Sequence, residues 1–494
     1  MLDALLTMDP LTIGLGVFGL LFLLKQICTP RNSPPGPLGY PVVGNFGQFA
    51  IANRTATFRK LRRTYGDVFR LRIGSCNMVV INGYDTLREA FIKHGDTLSD
   101  RPNDIIFKLL SSNGKGIVAS TGEFWKSTRT FSLGALREFG FGKRSLETKI
   151  QQEIAIFLNI LADKNGEAFY LGAIAQISVA NIICSIVFGQ RHDHDDEEFK
   201  RLLHMLEQEL VLSTKASIAI FFPFLRYLPG DVTQLDATVE NSGKIQSHLQ
   251  DQIDQHRATF DEENTKDFID AFLKEQIAQG ESDVLCDENL RITLTNLYVA
   301  GTETTATTIK WAILFLIHYP HVQTKLRKEI GDVVGFGRFP SMNDKPEMVY
   351  TEACIHELLR MGNIAPFSLL HGVKENTKLN GYTLRKGDTL IPNLDSVMFD
   401  ESLFEDPKTF NPERFIGDDG KLNGKERYVI AFGLGRRICV GESLSRMEIF
   451  LFLTSLVQRF KLLPEDEDNL PTLEPVVTLT NSPQEFKFKA IKLK

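Results

Sequence analysis

Cysteine is scarce and scattered in this chain: six in 494 residues, at positions 28, 76, 184, 286, 354 and 439, with no two closer than the 48 positions between Cys28 and Cys76. No C-x-x-C pair occurs, which excludes a dense disulfide framework and argues against a zinc cluster. A cysteine that matters here acts alone. An excess of one charge is also missing, since 56 Lys and Arg against 62 Asp and Glu leave a net charge of −6, with no global basic surface for nucleic acid. Polar-tipped aromatics are few, with 2 Trp and 10 Tyr beside 36 Phe, so the interior wants aromatic bulk without hydrogen-bonding ends. Between residue 46 and Lys494 there is no Ser/Gly linker, no repeat and no low-complexity tract, and this span reads as a single domain. With 43% hydrophobic and 24% charged residues, the chain is neither disordered nor wholly membrane-embedded.

One long apolar run stands out. Leu11 to Leu24 is uncharged over 14 residues. At ~1.5 Å per residue it spans only ~21 Å of a hydrocarbon core ~30 Å thick, so its flanks must contribute. Asp3 and Asp9 precede it and Lys25 and Arg31 follow, an order that leaves the rest of the chain on the cytosolic side. A cleaved secretory signal would need a basic start and a small-residue cleavage site, and a mitochondrial presequence would need arginines; the first 24 residues contain neither Lys nor Arg. Residues 1–25 therefore read as an N-terminal membrane anchor. The proline-rich stretch that follows, within residues 26–45, reads as a stiff spacer.

Strand signals are few: the alternating Val68 to Ile73, Met78 to Ile81 after a GSCN turn, and Leu379 to Pro392 with its Asn-Gly and Lys-Gly-Asp turns. Apolar residues at three- or four-residue spacing predict helices over Thr86–Lys93, Glu147–Ala162, Ala173–Phe188, Phe199–Leu212, Thr238–Phe260, Phe268–Gln279 and Ser443–Phe460. The fold class is mainly α with a minor β-sheet region.

Chemistry is concentrated in two places. A long helix is expected from an N-cap at Asp287 to Tyr319, stopped by Pro320, and in its middle stands AGTETT, Ala300 to Thr305. Gly301 admits a close neighbour, and threonine hydroxyls bond the carbonyls of the previous turn and open the ladder to water, as a ligand-facing helix requires. The second place is FGLGRRICVGE, Phe432 to Glu442, a glycine-shaped loop that sets Cys439 at a helix N-terminus beside Arg436 and Arg437. The macrodipole and the arginines there favour a thiolate, which serves as a metal ligand or a nucleophile.

These residues resemble the cytochrome P-450 haem-thiolate monooxygenases, in their microsomal drug- and steroid-oxidising branch. The loop fits F-x-x-G-x-R-x-C-x-G at Phe432, Gly435, Arg437, Cys439 and Gly441, the long helix fits A-G-x-E-T-T, and Glu357 with Arg360 fits E-x-x-R. The proline hinge, SDRP at Ser99 to Pro102, W-x-x-x-R at Trp125 and Arg129, and NPERF at Asn411 to Phe415 follow in the family's order.

The resemblance implies the family fold, with its long central helix over a haem b whose iron is held by Cys439. It gives Arg101, Trp125, Arg129, His371 and Arg437 the haem propionates, and Glu303 and Thr304 proton delivery. It makes Glu357, Arg360 and Arg414 a structural ion-pair network, and lines the substrate pocket with Val118, Ala119, Ala300, Leu369 and Thr480. Lys126, Arg137, Lys143, Arg436 and Arg446 fall where the family docks its reductase. The chain departs from close relatives at Leu370-His371-Gly372, where Pro-His is common, so the local backbone there is open.

The resulting expectation is a monooxygenase on the cytosolic face of the endoplasmic reticulum. It inserts one atom of O2 into a steroid, fatty acid or xenobiotic with electrons from NADPH, through NADPH-cytochrome P-450 reductase and with cytochrome b5 as a further partner. Two alternatives stand beside it: a reductase-independent haem-thiolate isomerase or dehydratase, against which the intact Glu303-Thr304 pair argues, and a non-catalytic haem carrier or sensor.

Overall fold

The computed structural model describes residues 32–49, 54–141, 144–477 and 479–493; the anchor and Lys143 lie outside them. Among the described residues no helix is long and apolar enough to cross a membrane. They form two compact units, one running to Pro102 and including Leu370–Pro392, the other made of Asn103–Leu369 and the residues from Asn393 onward.

The first unit carries the main sheet. Val68–Ile73 pairs antiparallel with Cys76–Ile81, which runs parallel to Thr389–Pro392, and His371–Gly372 closes the edge antiparallel to Thr389 and Leu390. Val68, Phe69, Leu71 and Ile73 are buried while Arg70 and Arg72 are half-buried, the alternation of a sheet with one covered face. Thr377–Leu379 and Tyr382–Leu384 form a hairpin whose two turn residues, Asn380 and Gly381, take φ of 47° and 79°, the left-handed pair that a tight hairpin needs.

The described part of the hinge is not a free spacer. Arg70 N–H donates to Pro35 O at 2.8 Å, Arg72 N–H to the Asn45 side chain at 2.9 Å, and Gly44 bridges Ile73. A Cβ on Gly36 would lie 2.1 Å from the Arg70 carbonyl oxygen. The edge of Val68–Ile73 has backbone groups to satisfy, and this segment satisfies them.

The second unit is mainly helical. Its axis is the helix Asp287–His318, 32 residues and so ~48 Å long, packed by Gly172–Val187, Leu235–Thr259, Val349–Gly362 and Glu442–Arg459. Its N-cap is Cys286 rather than Asp287, which already lies in the helix and whose carboxylate pairs with Arg257 at 2.7 and 3.1 Å. At the other end Pro320 opens the next helix, Pro320–Val333, at the position where its missing N–H is harmless. The neighbour that Gly301 admits is a packed helix: a Cβ there would meet Ile183 Cδ1 at 2.5 Å.

Candidate active site

The cysteine loop is held by its own backbone. Gly433 and Gly435 take φ of 80° and 73°, the chain turns through Gly435–Arg437, and Cys439 N–H returns to Phe432 O at 3.0 Å before the helix Glu442–Arg459 begins. The Cys439 thiol is solvent-accessible but surrounded by protein on most sides. Burial pushes its pKa up, against the pull of the Gly441 and Glu442 N–H groups and Arg129, and the Glu442 carboxylate adds to the rise. This corrects the expectation of a thiolate set by dipole and arginines: desolvation outweighs them.

Beside the loop is a cluster of cations around one indole. The guanidinium of Arg437 lies 4.0 Å from the centre of the Trp125 ring, with those of Arg129 and Arg436 at 5.7 and 5.9 Å. Arg437 donates to Ser120 O at 2.7 Å and Arg129 to Ile438 O at 2.5 Å. Burial lowers the pKa of Arg129. Trp125 is buried, and its Nε1–H has no hydrogen-bond partner among the described residues. Gathered cations and an orphaned donor are costly unless an anion meets them, and the two carboxylates of a haem fit such a donor set.

In the first unit, Arg101 Nη1 donates to Leu370 O at 2.7 Å, and the His371 ring lies 4.6 Å from that of Phe91. Within Leu370-His371-Gly372 the glycine has a local reason. Gly372 N–H bonds Asp100 O at 2.7 Å, and a Cβ at Gly372 would sit 2.8 Å from Arg101 O, so the glycine lets the strand lie against the SDRP segment.

On the long helix, Thr304 Oγ1 donates to Ala300 O at 2.7 Å and Thr308 Oγ1 to Thr304 O at 2.8 Å, yet the segment is unbroken α-helix. The expected opening of the ladder is absent because each hydroxyl adds a bond to a carbonyl without displacing the backbone donor. Glu303 accepts from Thr307 Oγ1 at 3.0 Å; burial raises its pKa, with Lys310 and Thr307 opposing and Glu207 adding to the rise.

A second acid was not singled out in the sequence. Glu448 is buried, one of its oxygens lacks a partner among the described residues, and burial pushes its pKa up to about 8, opposed by the Thr305 hydroxyl. Its folded pKa exceeds the ordinary ~4.3, so its contribution to stability is complete below that value and is lost as pH rises toward about 8. Between pH 5.5 and 8.5 the wild type should lose on the order of 3 kcal/mol that Glu448→Gln does not lose. Urea unfolding at both pH values measures it, and equal losses in the two proteins would rule out a buried neutral acid.

The other positions separate by environment. Glu357 and Arg360 are fully buried and pair at 2.7 and 2.8 Å, and Arg414 joins the same carboxylate at 3.0 Å. Val118 and Ala119 are half-buried on a loop bonded to the long helix, one turn before the exposed Ala300. Leu369 is half-buried, and Thr480 is buried beside Asn481, which bonds Asn363 O at 2.9 Å. Lys126, Arg137 and Arg436 are exposed; Arg446 is half-buried, paired with Glu442 at 2.9 Å and over the Phe432 ring.

Sequence reasoning also passed over Asn289 and Asn296, which bond the loop bearing Val118. Two asparagines two turns apart in an apolar helix, and one Glu in the apolar run LSRMEIFLFL, were the available signals.

The family model described as Cytochrome P-450 matches residues 34–490. The chain is 37% identical over 472 residues to cytochrome P-450 2C38 of Mus musculus, covering 93% of this chain and 95% of that one. It is 38% identical over 451 residues to cytochrome P-450 2B4 of Oryctolagus cuniculus, covering 89% and 90%.

Proposed function

The chain belongs to the cytochrome P-450 family, and from that premise we propose how its own residues serve the reaction. The protein is a haem-dependent monooxygenase that takes NADPH electrons through a reductase and acts on lipophilic small molecules; no observation favours the isomerase or carrier alternatives. When bound, the haem supplies the iron centre that activates O2.

The observation that carries the site assignment is the unpartnered Trp125 indole N–H among three guanidiniums beside the cysteine loop. On this reading Cys439 Sγ ligates the iron, and Trp125, Arg129 and Arg437 bind the propionates, with Arg101 and His371 given the same task. Residues 46–494 act as one catalytic domain, a reading supported by one family match over 34–490. Val118, Ala119, Ala300, Leu369 and Thr480 line the pocket, whose small and apolar side chains suit a steroid, a fatty acid or a xenobiotic.

Glu303 and Thr304 handle protons. Burial keeps the Glu303 proton available at a higher pH than an exposed carboxyl would, and Thr304 Oγ1, donating inward to Ala300 O, keeps its lone pairs to accept and pass a proton on. A hydroxyl meets the need for protons without flooding the pocket with water. Thr304→Ala should keep haem and substrate binding while raising several-fold the share of NADPH electrons that end as hydrogen peroxide. Product, peroxide and NADPH measured in one assay decide the matter: unchanged coupling would leave Thr304 as a helix-packing residue.

As a member of the microsomal branch, the protein associates with the endoplasmic reticulum membrane. We place the single anchor in residues 1–25 and the globule on the cytosolic face. Exposed Phe224, Tyr227 and Leu228 support a second membrane contact. Exposed Lys126, Arg137 and Arg436, with Lys143 and Arg446, are proposed to dock the reductase by electrostatic steering, and cytochrome b5 as a second donor.

A further inference from the structure

The connection between the helices Leu235–Thr259 and Phe268–Gln279 gathers one imidazole and two carboxylates. His256 stands in the last turn of the first helix, Asp267 caps the second, and Asp270 lies in its first turn. One ligand atom from each, a ring nitrogen and two carboxylate oxygens, lies within 4.8 Å of the other two. Asp267 and Asp270 are buried, while the His256 side chain keeps 13% of its surface open as a way in from solvent. Gly189, just beyond the helix Gly172–Val187, closes the cluster from another side: its φ is 65°, and a Cβ there would lie 2.7 Å from Asp267 Oδ2.

The imidazole is aimed by a bond made outside the cluster. His256 Nδ1–H donates to Gln252 O at 2.7 Å, which commits the proton of a neutral ring to that side and turns the Nε2 lone pair toward Asp267 Oδ2 at 3.1 Å. Two acceptors at contact distance need a cation between them, either a proton or a metal ion. Asp267 Oδ1 accepts from Asp270 N–H and Asp270 Oδ2 accepts from Lys266 N–H, each at 3.0 Å, so each carboxylate keeps one oxygen for the cluster. Burial raises the Asp270 pKa and the Asp267 carboxylate adds to the rise, with Lys266 and His256 opposing. A proton on His256 matches one of the two carboxylates, whereas a divalent ion matches both.

We propose that His256, Asp267 and Asp270 form a binding site for a zinc ion, which clasps the facing ends of these two helices. One imidazole nitrogen and two carboxylate oxygens, with water in the fourth place, make a donor set for zinc; magnesium and calcium prefer oxygen alone. Two ligands of a tetrahedral zinc, each ~2.0–2.1 Å from the metal, stand ~3.3 Å apart, close to the 3.1 Å between His256 Nε2 and Asp267 Oδ2. With all three ligand atoms already within 4.8 Å, capture asks the carboxylates to close by at most ~1.5 Å. The Gln252 carbonyl is the outer partner that orients a ligating ring. Leu235–Thr259 also packs on the long helix that carries Glu303 and Thr304, so an ion that steadies its end steadies that contact too.

The test uses the full-length holoenzyme, treated with a chelator and then dialysed against zinc chloride, with bound zinc measured by elemental analysis. Wild type should hold about one ion per chain that His256→Gln and Asp270→Asn each weaken by at least about tenfold, and excess magnesium should not displace it. His192→Gln combined with His194→Gln, in the neighbouring histidine-rich segment, should leave that ion in place, which separates the site from zinc caught elsewhere on the surface. Zinc should also slow amide exchange in residues 260–266 of the wild type and have no such effect in Asp270→Asn, whose side chain has the same shape and keeps an oxygen for Lys266 N–H. Asp270→Asn therefore decides the matter if His256→Gln does not fold. Absence of bound zinc, or binding that neither substitution weakens, overturns the site. If no zinc binds and His256→Gln alone loosens residues 260–266, the cation between His256 and Asp267 is a proton, and the proposal falls.

Discussion

Replacing Cys439 with serine should abolish the red-shifted Soret band of the reduced carbon monoxide complex while leaving a folded chain. The thiol stands alone at the end of a loop closed by its own backbone, with Cys439 N–H on Phe432 O at 3.0 Å, so substitution of one atom leaves the loop intact. A serine hydroxyl cannot replace the electron donation of a thiolate to iron, which is what moves the band. Since burial raises the pKa of this thiol, its ionisation depends on coordination, and the free chain should hold a neutral thiol at neutral pH. Spectra of the reduced carbon monoxide complex, with haem content measured separately, make the comparison. A serine variant that kept both haem and the shifted band would show that another residue provides the ligand.

The second large effect is expected in the buried ion cluster, where Glu357 accepts four hydrogen bonds: two from Arg360, one from Arg414 and one from the Asn411 N–H. Arg360 also reaches Met398 O at 2.7 Å and Pro407 O at 2.8 Å, and its guanidinium lies over the rings of Phe399 and Phe404 at 5.4 and 5.1 Å. With Glu357 and Arg360 both fully buried, removing one charge strands the other in a medium that cannot solvate it. Glu357→Ala should cost on the order of 3–5 kcal/mol and sharply reduce the yield of haem-loaded protein. Arg360→Lys should be nearly as damaging, because an ammonium cannot span two carboxylate oxygens and two carbonyls at once. Denaturant unfolding of the variants that fold, and haem-loaded yield for all of them, test this. A loss below about 1 kcal/mol for Glu357→Ala would mean that solvent reaches the site and that the cluster does not hold the surrounding loops.

Local pattern was enough for several elements and for contacts made within one stretch of chain. Phe268–Gln279 appears with the ends that its apolar spacing predicts, and Ser443–Phe460 differs by a single residue at each end. The Asn380-Gly381 turn could be read because its left-handed φ values are a property of two adjacent residues. The backbone turn of the cysteine loop and the Glu357–Arg360 ion pair were legible for the same reason, since each lies within a short stretch of chain.

What sequence could not supply were quantities set by distant residues. The pKa of Cys439 was expected to fall on local charges and rises on burial, because desolvation depends on every atom packed around a group rather than on its neighbours in the chain. Glu448 carried no local signal of its state, because the packing that buries it is what raises its pKa. The segment after Asn32 looked like a spacer until the edge of Val68–Ile73 took up its backbone groups. Asn289 and Asn296 meet their partners more than 170 positions away in the chain, a pairing visible only once folding has brought the loop and the long helix together. Conformation follows from short stretches of chain, whereas solvation and long-range pairing belong to the packed whole.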